Sequence, residues 1–163
     1  MCRFISLFLL AAFFLLGCGR ENSGDESGHI LRIGNGGEPR DLDPHTVTGV
    51  PEVRVIQALF EGLVTYHPSD DRIPYPGVAA SWEVSEDGTV WTFHLRPEAR
   101  WSNGDPLTAN DFVYSWIRAI RPELGCEYAD WFYMIEGAEA FHRGQTEDPA
   151  SVGLRALDAN TFK

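Results

Sequence analysis

Asp43 and His45 are the two residues whose types and spacing come nearest to a chemical site in this sequence. A carboxylate and an imidazole two positions apart can ligate one metal ion, but a cluster of two residues supplies fewer ligands than a metal site needs. We therefore interpret Asp43 as an acceptor of local backbone hydrogen bonds in a turn, with His45 packed beside Pro44. We expect no metal and no cofactor at this position.

Motifs of the common enzyme classes are absent from the sequence. It has no G-x-S-x-G elbow, no H-E-x-x-H helix, no C-x-x-C pair and no phosphate-binding P-loop. Residues 34–39 read GNGGEP and approach a dinucleotide-binding fingerprint, but Pro39 stands where the third glycine is required. The sequence therefore excludes the catalytic constellations that these motifs mark.

The first third of the chain predicts short elements joined by turns. Residues 30–33 indicate a strand, residues 34–37 a glycine-rich turn and residues 38–45 an extended loop. The next residues predict a helix. Pro51 suits its first turn, where the missing N–H of proline would have no partner in any case.

Apolar residues at three- and four-residue spacing predict that this helix buries one stripe, which is formed by Val53, Ile56, Phe60 and Leu63. The helix is predicted to end near Gly62. Residues 64–66 then indicate a strand, and residues 67–77 indicate a turn-rich loop with three prolines.

The middle of the chain predicts a hairpin followed by a capped helix. A tryptophan-bearing strand leads into a Ser-Glu-Asp-Gly turn at residues 85–88, and residues 90–95 alternate like a second strand. After a corner at residues 103–106, Thr108 and Asp111 form a shortened capping box. The buried face of this helix is predicted to comprise Phe112, Val113, Trp116, Ile117 and Ile120, and Pro122 prevents its continuation.

The last residues predict a further helix and an incomplete hairpin. Residues 138–143 suggest a short helix that ends at Gly144. Residues 154–157 indicate a strand, residues 158–160 a turn, and residues 161–163 a second strand with an unpaired edge, which natural domains avoid. The fold class is therefore mixed α/β (α+β) with hairpins rather than alternating βαβ units.

Residues 77–115 read GVAASWEVSEDGTVWTFHLRPEARWSNGDPLTANDFVYS. This succession of strand, turn, strand, corner and capped helix resembles the signature segment of the family-5 extracellular solute-binding proteins, which are receptors of bacterial ABC importers. Residues 42–45 resemble that family's Leu-Asp-Pro-His loop, and agreement through residue 63 narrows the resemblance to the oligopeptide receptors. The resemblance implies the N-terminal part of a two-lobed, periplasmic-binding-protein type II-like fold over residues 30–163. It also implies a fragment covering about a third or less of a complete receptor, without the C-terminal lobe.

The same resemblance implies which residues meet the ligand. The loop that contains Thr48, Gly49 and Val50 would lie at the cleft and pair its backbone with an extended peptide, and Gly49 would permit close approach. Tyr128 matches a tyrosine that faces the peptide. A carboxylate can occur in the family where this sequence has Thr48, so no charged contact is expected there. A plain loop and a core tyrosine remain the alternatives.

The N-terminus predicts export and lipid anchoring. Arg3 and the apolar run after it suit a signal peptide over residues 1–17, because the run is too short to span a membrane. Leu15-Leu16-Gly17-Cys18 looks like a lipobox in which Cys18 is lipidated, and residues 18–29 form a flexible tether. An ordinary secretory signal is the alternative. Cys126 is then the one remaining cysteine, so no internal disulfide is possible, and we expect a buried or half-buried structural thiol.

Charge excludes nucleic-acid binding. The chain has 13 basic and 24 acidic residues and a formal net charge of -11. Removing residues 1–17 would delete one arginine, and lysine occurs once, at Lys163. A protein with this balance offers no basic surface to a polyanion.

Taken with the resemblance, the sequence predicts a monomeric substrate-binding lipoprotein of the cell envelope or periplasm. It would capture short peptides between two lobes and deliver them to the permease subunits of an inner-membrane ABC importer. No step of this cycle makes or breaks a covalent bond in the ligand, so the resemblance implies that the protein is not an enzyme. Two alternatives stay open. The solute could instead be a dipeptide, a murein peptide, an oligosaccharide or a metal chelate, or the protein could be a structural envelope lipoprotein without a ligand.

Lipidation of Cys18 is directly testable. We expect labelled palmitate to be incorporated into the protein, because several acyl chains together anchor a protein stably. The variant Cys18→Ala should lose the label and leave the membrane fraction, whereas Cys126→Ala should behave like the wild type. Unchanged membrane association of Cys18→Ala would contradict the lipobox assignment.

Overall fold

Helices and antiparallel strands are both present in residues 31–163, the part of the chain that the computed structural model describes. Asn35–Lys163 forms one packed unit that contains a two-stranded and a three-stranded sheet. The predicted mixed α/β class is confirmed. Within the described range, no helix combines the length and the apolar character needed to cross a membrane.

The two-stranded sheet is a hairpin of β1 (Val64–His67) and β2 (Asp70–Pro76). Strand β1 was predicted, but the prediction of a turn-rich loop over residues 67–77 is wrong. Pro74 and Pro76 stand opposite Tyr66 and Val64 in this hairpin. Because the sheet has only two strands, each strand has a free edge, and a proline is tolerated where its missing N–H would point away from the partner strand.

The three-stranded sheet has the order β3-β4-β5, with β3 at Ala79–Val84, β4 at Trp91–Leu95 and β5 at Thr161–Phe162. The turn between β3 and β4 is closed by the Ser85 N–H, which donates to the Val90 carbonyl at 2.9 Å. Gly88 has φ +74°, in the left-handed region that glycine adopts without strain. The predicted hairpin is confirmed.

Strand β5 is paired on both sides, so the predicted unpaired edge is wrong. Phe162 stands opposite Phe93 of β4 on one side and forms a bridge with Ala156 on the other. Arg155 and Lys163 exchange both backbone hydrogen bonds, at 2.7 and 2.8 Å. The chain folds back after residue 157 and inserts its last residues into the sheet, which satisfies their backbone groups.

Helix α1 (Val50–Leu59) begins one residue before Pro51, as that proline predicts. The predicted burial of its apolar stripe is wrong: Val53 and Phe60 are exposed, and Leu63, which is buried, lies beyond the helix. Periodicity indicates which residues share a face, but burial requires a second element on that face. In the described residues the face carrying Val53 and Phe60 stays open to solvent.

Helix α2 (Ala109–Ala119) follows the predicted pattern closely. The Asp111 carboxylate accepts from the Thr108 N–H at 2.7 Å and from its hydroxyl at 2.9 Å, which confirms the capping residues. Ile117 and Ile120 are buried, and the other three predicted residues are half-buried against the core. The helix ends before Pro122, as expected.

Short helical segments complete the unit. Three are 3-10 helices, at Pro122–Leu124, Ala129–Met134 and Pro149–Ser151, and the fourth is α3 (Ala138–His142), the predicted helix ending before Gly144. The predicted strand at residues 30–33 is wrong for the residues described. Leu31 and Ile33 are exposed and unpaired there, and an extended segment without a neighbouring strand leaves its backbone groups to water.

The core forms where α2 packs on the three-stranded sheet around Phe162. Only 1% of Phe162 is exposed. Its ring lies 5.2 Å from Trp116, 5.7 Å from Phe112 and 6.2 Å from Phe93, measured between ring centroids. This contact holds α2 against the sheet, because aromatic rings in such arrangements contribute both buried area and specific geometry.

Removal of the Phe162 ring should therefore destabilise the whole unit. We expect Phe162→Ala to lower the free energy of unfolding by about 3–5 kcal/mol, as for other buried phenylalanines. Urea denaturation followed by tryptophan fluorescence measures this. The control Tyr114→Ala removes an exposed ring from α2 and should change the value by less than about 1 kcal/mol. Equal effects of the two variants would contradict the assignment of the core.

Candidate ligand-binding site

A bidentate ion pair fastens the loop of residues 41–47 to helix α2. The Arg118 guanidinium donates from Nη1 to Asp43 Oδ1 at 2.9 Å and from Nη2 to Asp43 Oδ2. Asp43 Oδ1 also accepts from the His45 N–H at 3.0 Å, so the predicted local hydrogen bond is confirmed. The hydrogen bonds from Arg118 are the main reason that the pKa of Asp43 is lowered to about 2.

His45 joins the same cluster through both ring nitrogens. Its Nδ1 is in contact with Arg118 Nη1, and its Nε2 lies 3.0 Å from Ser115 Oγ. Because a guanidinium can only donate, Nδ1 must be the acceptor, and the proton of the neutral ring is on Nε2. Burial, followed by the charge of Arg118, lowers the pKa of His45 from its ordinary value of 6.5, whereas Asp43 acts in the opposite direction.

The metal interpretation of Asp43 and His45 finds no support in this geometry. The guanidinium of Arg118 takes the position in front of both side chains that a cation would need. Across residues 31–163 no three His, Cys, Asp or Glu side chains are close enough together to hold a metal ion. Sequence reasoning missed Arg118, because 75 positions separate it from Asp43 and no local pattern links them.

The three predicted contact residues Thr48, Gly49 and Val50 (the 48–50 segment) follow this loop directly. Thr48 is exposed, and 62% of Val50 is exposed. Gly49 is the N-cap of α1, and its carbonyl accepts from the Val53 N–H at 3.0 Å. No hydrogen bond from another described residue engages the N–H groups of this segment or the Thr48 carbonyl.

Gly49 has an internal reason to lack a side chain. The buried Glu52 folds back over it, so that a Cβ at position 49 would overlap Glu52 Oε2 and lie 3.1 Å from the carboxyl carbon. Glu52 Oε1 accepts from the Arg40 N–H at 2.8 Å, and this hydrogen bond is the main cause of the lowered pKa of Glu52. The carboxylate thus joins the start of α1 to the preceding loop. A glutamate at the third helical position is the sequence signal for such a cap.

Tyr128, the N-cap of the 3-10 helix Ala129–Met134, begins an exposed apolar row that continues along that helix. A 3-10 helix has three residues per turn, so residues three apart share one face. Tyr128, Trp131 and Met134 follow this spacing and are 40%, 68% and 89% exposed. The rings of Tyr128 and Trp131 lie 4.9 Å apart at 35°. The spacing was visible in the sequence, but only the 3-10 geometry places these side chains in one row.

The structure brings the predicted residues together only in part. Thr48, Gly49 and Val50 are contiguous, whereas Tyr128 lies beyond the end of α2. Among the described residues, no hydrogen bond or aromatic contact joins Tyr128 to the 48–50 segment. The link is indirect, since the loop before the segment is fastened to α2 and α2 leads towards Tyr128.

Other predicted and surface features lie apart from these residues. Two open surface hollows of about 570 and 640 Å³ contain neither Tyr128 nor the 48–50 segment, although Met134 lines the first. Cys126 is a free, half-buried thiol, as expected. Cys18 lies outside the described residues.

The contact between Gly49 and Glu52 predicts a coupled effect on stability. We expect Gly49→Ala to lower the free energy of unfolding by about 1 kcal/mol, because the Glu52 carboxylate must move aside and give up its hydrogen bond with the Arg40 N–H. In a Glu52→Ala background the same change should have little effect, because the overlapping carboxylate is gone. Chemical denaturation of the four proteins measures the coupling. Equal costs of Gly49→Ala in both backgrounds would contradict this explanation of the glycine.

Comparison with known proteins gives the family of this chain. The model of the family described as Bacterial extracellular solute-binding proteins, family 5 Middle matches residues 74–163. The periplasmic oligopeptide-binding protein OppA of Haemophilus influenzae is 45% identical over 140 residues, covering 85% of this chain and 25% of that protein. The periplasmic murein peptide-binding protein MppA of Escherichia coli is 43% identical over 129 residues, covering 77% of this chain and 23% of that protein.

Structural similarity agrees with this match. The crystal structure of the Haemophilus influenzae OppA complex with RPPGFSPFR superposes with a TM-score of 0.73 at 45% identity, covering 78% of this chain and 25% of that one. The chain therefore spans about a quarter of the length of these relatives. The matched family consists of solute-binding proteins, and these relatives are periplasmic binding proteins. This chain belongs to the bacterial extracellular solute-binding proteins, family 5.

Proposed function

We propose that this chain supplies part of the peptide-binding surface of a substrate-binding lipoprotein that serves an ABC importer. The observation that carries the proposal is a set of backbone groups in the 48–50 segment that no described residue engages in a hydrogen bond. The N–H groups of this segment and the Thr48 carbonyl have no hydrogen-bond partner among the described residues, and Thr48 and Val50 are exposed. Such groups can pair with the main chain of an extended peptide, as an added strand does.

Recognition through main-chain groups suits a receptor for varied peptides. Every peptide carries the same backbone donors and acceptors, so their use requires no particular ligand sequence. The exposed rings of Tyr128 and Trp131 would add apolar contact at a small entropic cost, since aromatic side chains have few rotatable bonds. The ligand is bound and released without covalent change, so the proposed activity is not enzymatic.

The complete binding protein would have two lobes that close over the ligand. Ligand binding favours the closed state only to the extent that the closed state binds the peptide more tightly. The closed form would then dock on permease subunits in the inner membrane. Lipidation of Cys18 would keep the monomeric receptor at the envelope membrane on the tether of residues 18–29.

A murein peptide is the second candidate ligand. It is favoured by the relative named for murein peptide binding, which is 43% identical to this chain. Because residues 31–163 offer main-chain groups and two aromatic rings to either ligand, the choice between them depends on measured affinities.

The proposal can be tested in a chimera with the Haemophilus influenzae relative. Residues 35–163 of this chain would replace the matched residues of that protein, and calorimetry would measure the binding of short peptides and of a murein tripeptide. We expect the chimera to bind peptides. Tyr128→Ala should weaken the affinity by roughly tenfold, because loss of an interfacial tyrosine often costs more than 1 kcal/mol.

Two controls separate main-chain from side-chain recognition. Thr48→Ala keeps the backbone groups and should leave the peptide affinity unchanged. Tyr66→Ala removes an exposed ring from β1, away from the proposed site, and should also leave the peptide affinity unchanged. Peptides that are N-methylated on the backbone should bind at least tenfold more weakly. We expect no measurable peptide binding by the 163-residue chain alone, since most contacts would be missing. Micromolar binding by that chain, or a chimera that binds none of these ligands, would contradict the proposal.

A further inference from the structure

We propose that Arg118 is a positioning residue for the 48–50 segment, and that it holds this segment only while His45 is uncharged. The inference rests on the proposed function, which it extends: mild acid would release the segment and weaken ligand binding. It concerns residues that touch no ligand themselves but act through the loop of residues 41–47.

The backbone path from Arg118 to the segment is short. Arg118 holds the Asp43 carboxylate, and the Asp43 carbonyl accepts from the N–H groups of Thr46 and Val47 at 3.2 and 3.3 Å. Thr48 is the next residue. The turn at residues 43–47 is therefore fixed at its base by a residue of α2, and its end sets the direction in which the 48–50 segment leaves.

Protonation of His45 would oppose this arrangement. In the neutral ring, Nδ1 accepts from Arg118 and Nε2 donates to Ser115. An added proton on Nδ1 would set an N–H against the N–H of the guanidinium and bring two positive charges into contact. The two groups cannot both stay where they are.

The loop of residues 41–47, and not helix α2, is the part that can move. Arg118 lies between Ile117 and Ala119, which are buried together with Ile120 in the core. The loop carrying His45 is half-exposed and is held to α2 by side-chain contacts. Movement of the helix would disrupt the core, whereas movement of the loop, which contributes no residue to the core, would break the hydrogen bonds of this cluster and leave the core packing in place.

His45 is the group of the cluster that changes charge near neutrality. The charged groups around it are Asp43 on its own loop, with Oδ1 at 3.7 Å from Nδ1, and Arg118 on α2. The Asp41 carboxylate accepts a hydrogen bond from the Thr46 hydroxyl on the same loop. The pKa of Arg118 is raised mainly by its hydrogen bond to Asp43, and Tyr114 on α2 makes a small electrostatic contribution in the same direction. Asp43 favours protonation of His45, but burial and the charge of Arg118 outweigh it and lower the pKa of His45.

The sign of the pH effect follows from this direction. A histidine whose pKa is lowered by folding stabilises the folded arrangement when it is neutral, above its unfolded pKa near 6.5. That contribution is lost as the pH falls through 6.5 and then through the lower pKa of the folded state. The segment should therefore be held at pH 7.5 and released as the pH falls through the lowered pKa of His45, below 6.5.

Nuclear magnetic resonance of the 163-residue chain tests the positioning directly. We expect the amide signals of Thr46, Val47 and Gly49 to shift with the His45 ring signal, at one midpoint below 6.5. His45→Gln should abolish these shifts, whereas the matched control His142→Gln should preserve them. Arg118→Lys, which keeps the charge but loses the bidentate geometry, should move the three amide signals at every pH. Amide signals of Thr46, Val47 and Gly49 that are changed neither by His45→Gln nor by Arg118→Lys would overturn the inference.

Ligand affinity in the chimera tests the functional consequence. Peptide affinity should be about fivefold or more weaker below the His45 midpoint found by nuclear magnetic resonance than at pH 7.5, a coupling of ordinary size between two sites. In the His45→Gln chimera it should be nearly constant, which also controls for titration of the peptide itself. Affinity that is independent of pH and of Arg118→Lys would overturn the inference. A chimera that binds no peptide at any pH would refute the proposed function, while the amide signals would still decide the positioning role.

Discussion

Asp43 and Arg118 lie 75 positions apart, and their paired hydrogen bonds join the loop before the 48–50 segment to helix α2. Charged hydrogen bonds in this forked geometry are both stronger and more directional than a single neutral bond. His45 and Ser115 extend the contact into a four-residue cluster. The hydrogen bonds of the residues before this loop, from the Arg40 N–H to Glu52 and between Asn35 and Pro51 and Arg54, reach α1 and not α2.

The cluster can position the loop only because α2 is itself packed into the core. Phe162, close to the end of the chain, packs against Phe112 and Trp116 of this helix and against Phe93 of β4. Residues at both ends of the described range therefore converge on α2, one through aromatic packing and the other through hydrogen bonds. A well-packed core resists small displacements, so the helix provides a fixed base for the loop and for the 48–50 segment that follows it.

Much of this fold could be predicted from the sequence where local chemistry decides the structure. The Thr108 and Asp111 cap, the turn at Gly88 and the helix start at Pro51 depend on residues within a few positions of one another. The errors have a different origin. Strand β2 was not predicted because it contains prolines, which an edge strand tolerates. The exposure of the apolar face of α1 could not be predicted because burial depends on whether another element packs against that face.

The candidate site shows the same division. The exposed 48–50 segment was identified by resemblance, but the carboxylate of Glu52 above Gly49 became visible only in three dimensions. The partnership of Asp43 with Arg118 could not be predicted from one sequence, since nothing local connects the two residues. Trp131 was missed because its spacing from Tyr128 has meaning only in a 3-10 helix.

A double-mutant cycle between Asp43→Asn and Arg118→Gln tests the central interaction most directly. The free energy of unfolding of the four proteins at pH 7.5 would be measured by chemical denaturation. If the ion pair holds the loop on α2, either single variant should lose nearly as much stability as the double variant, because the first change already breaks the contact. Strictly additive effects would show that the two side chains act independently and would contradict the account.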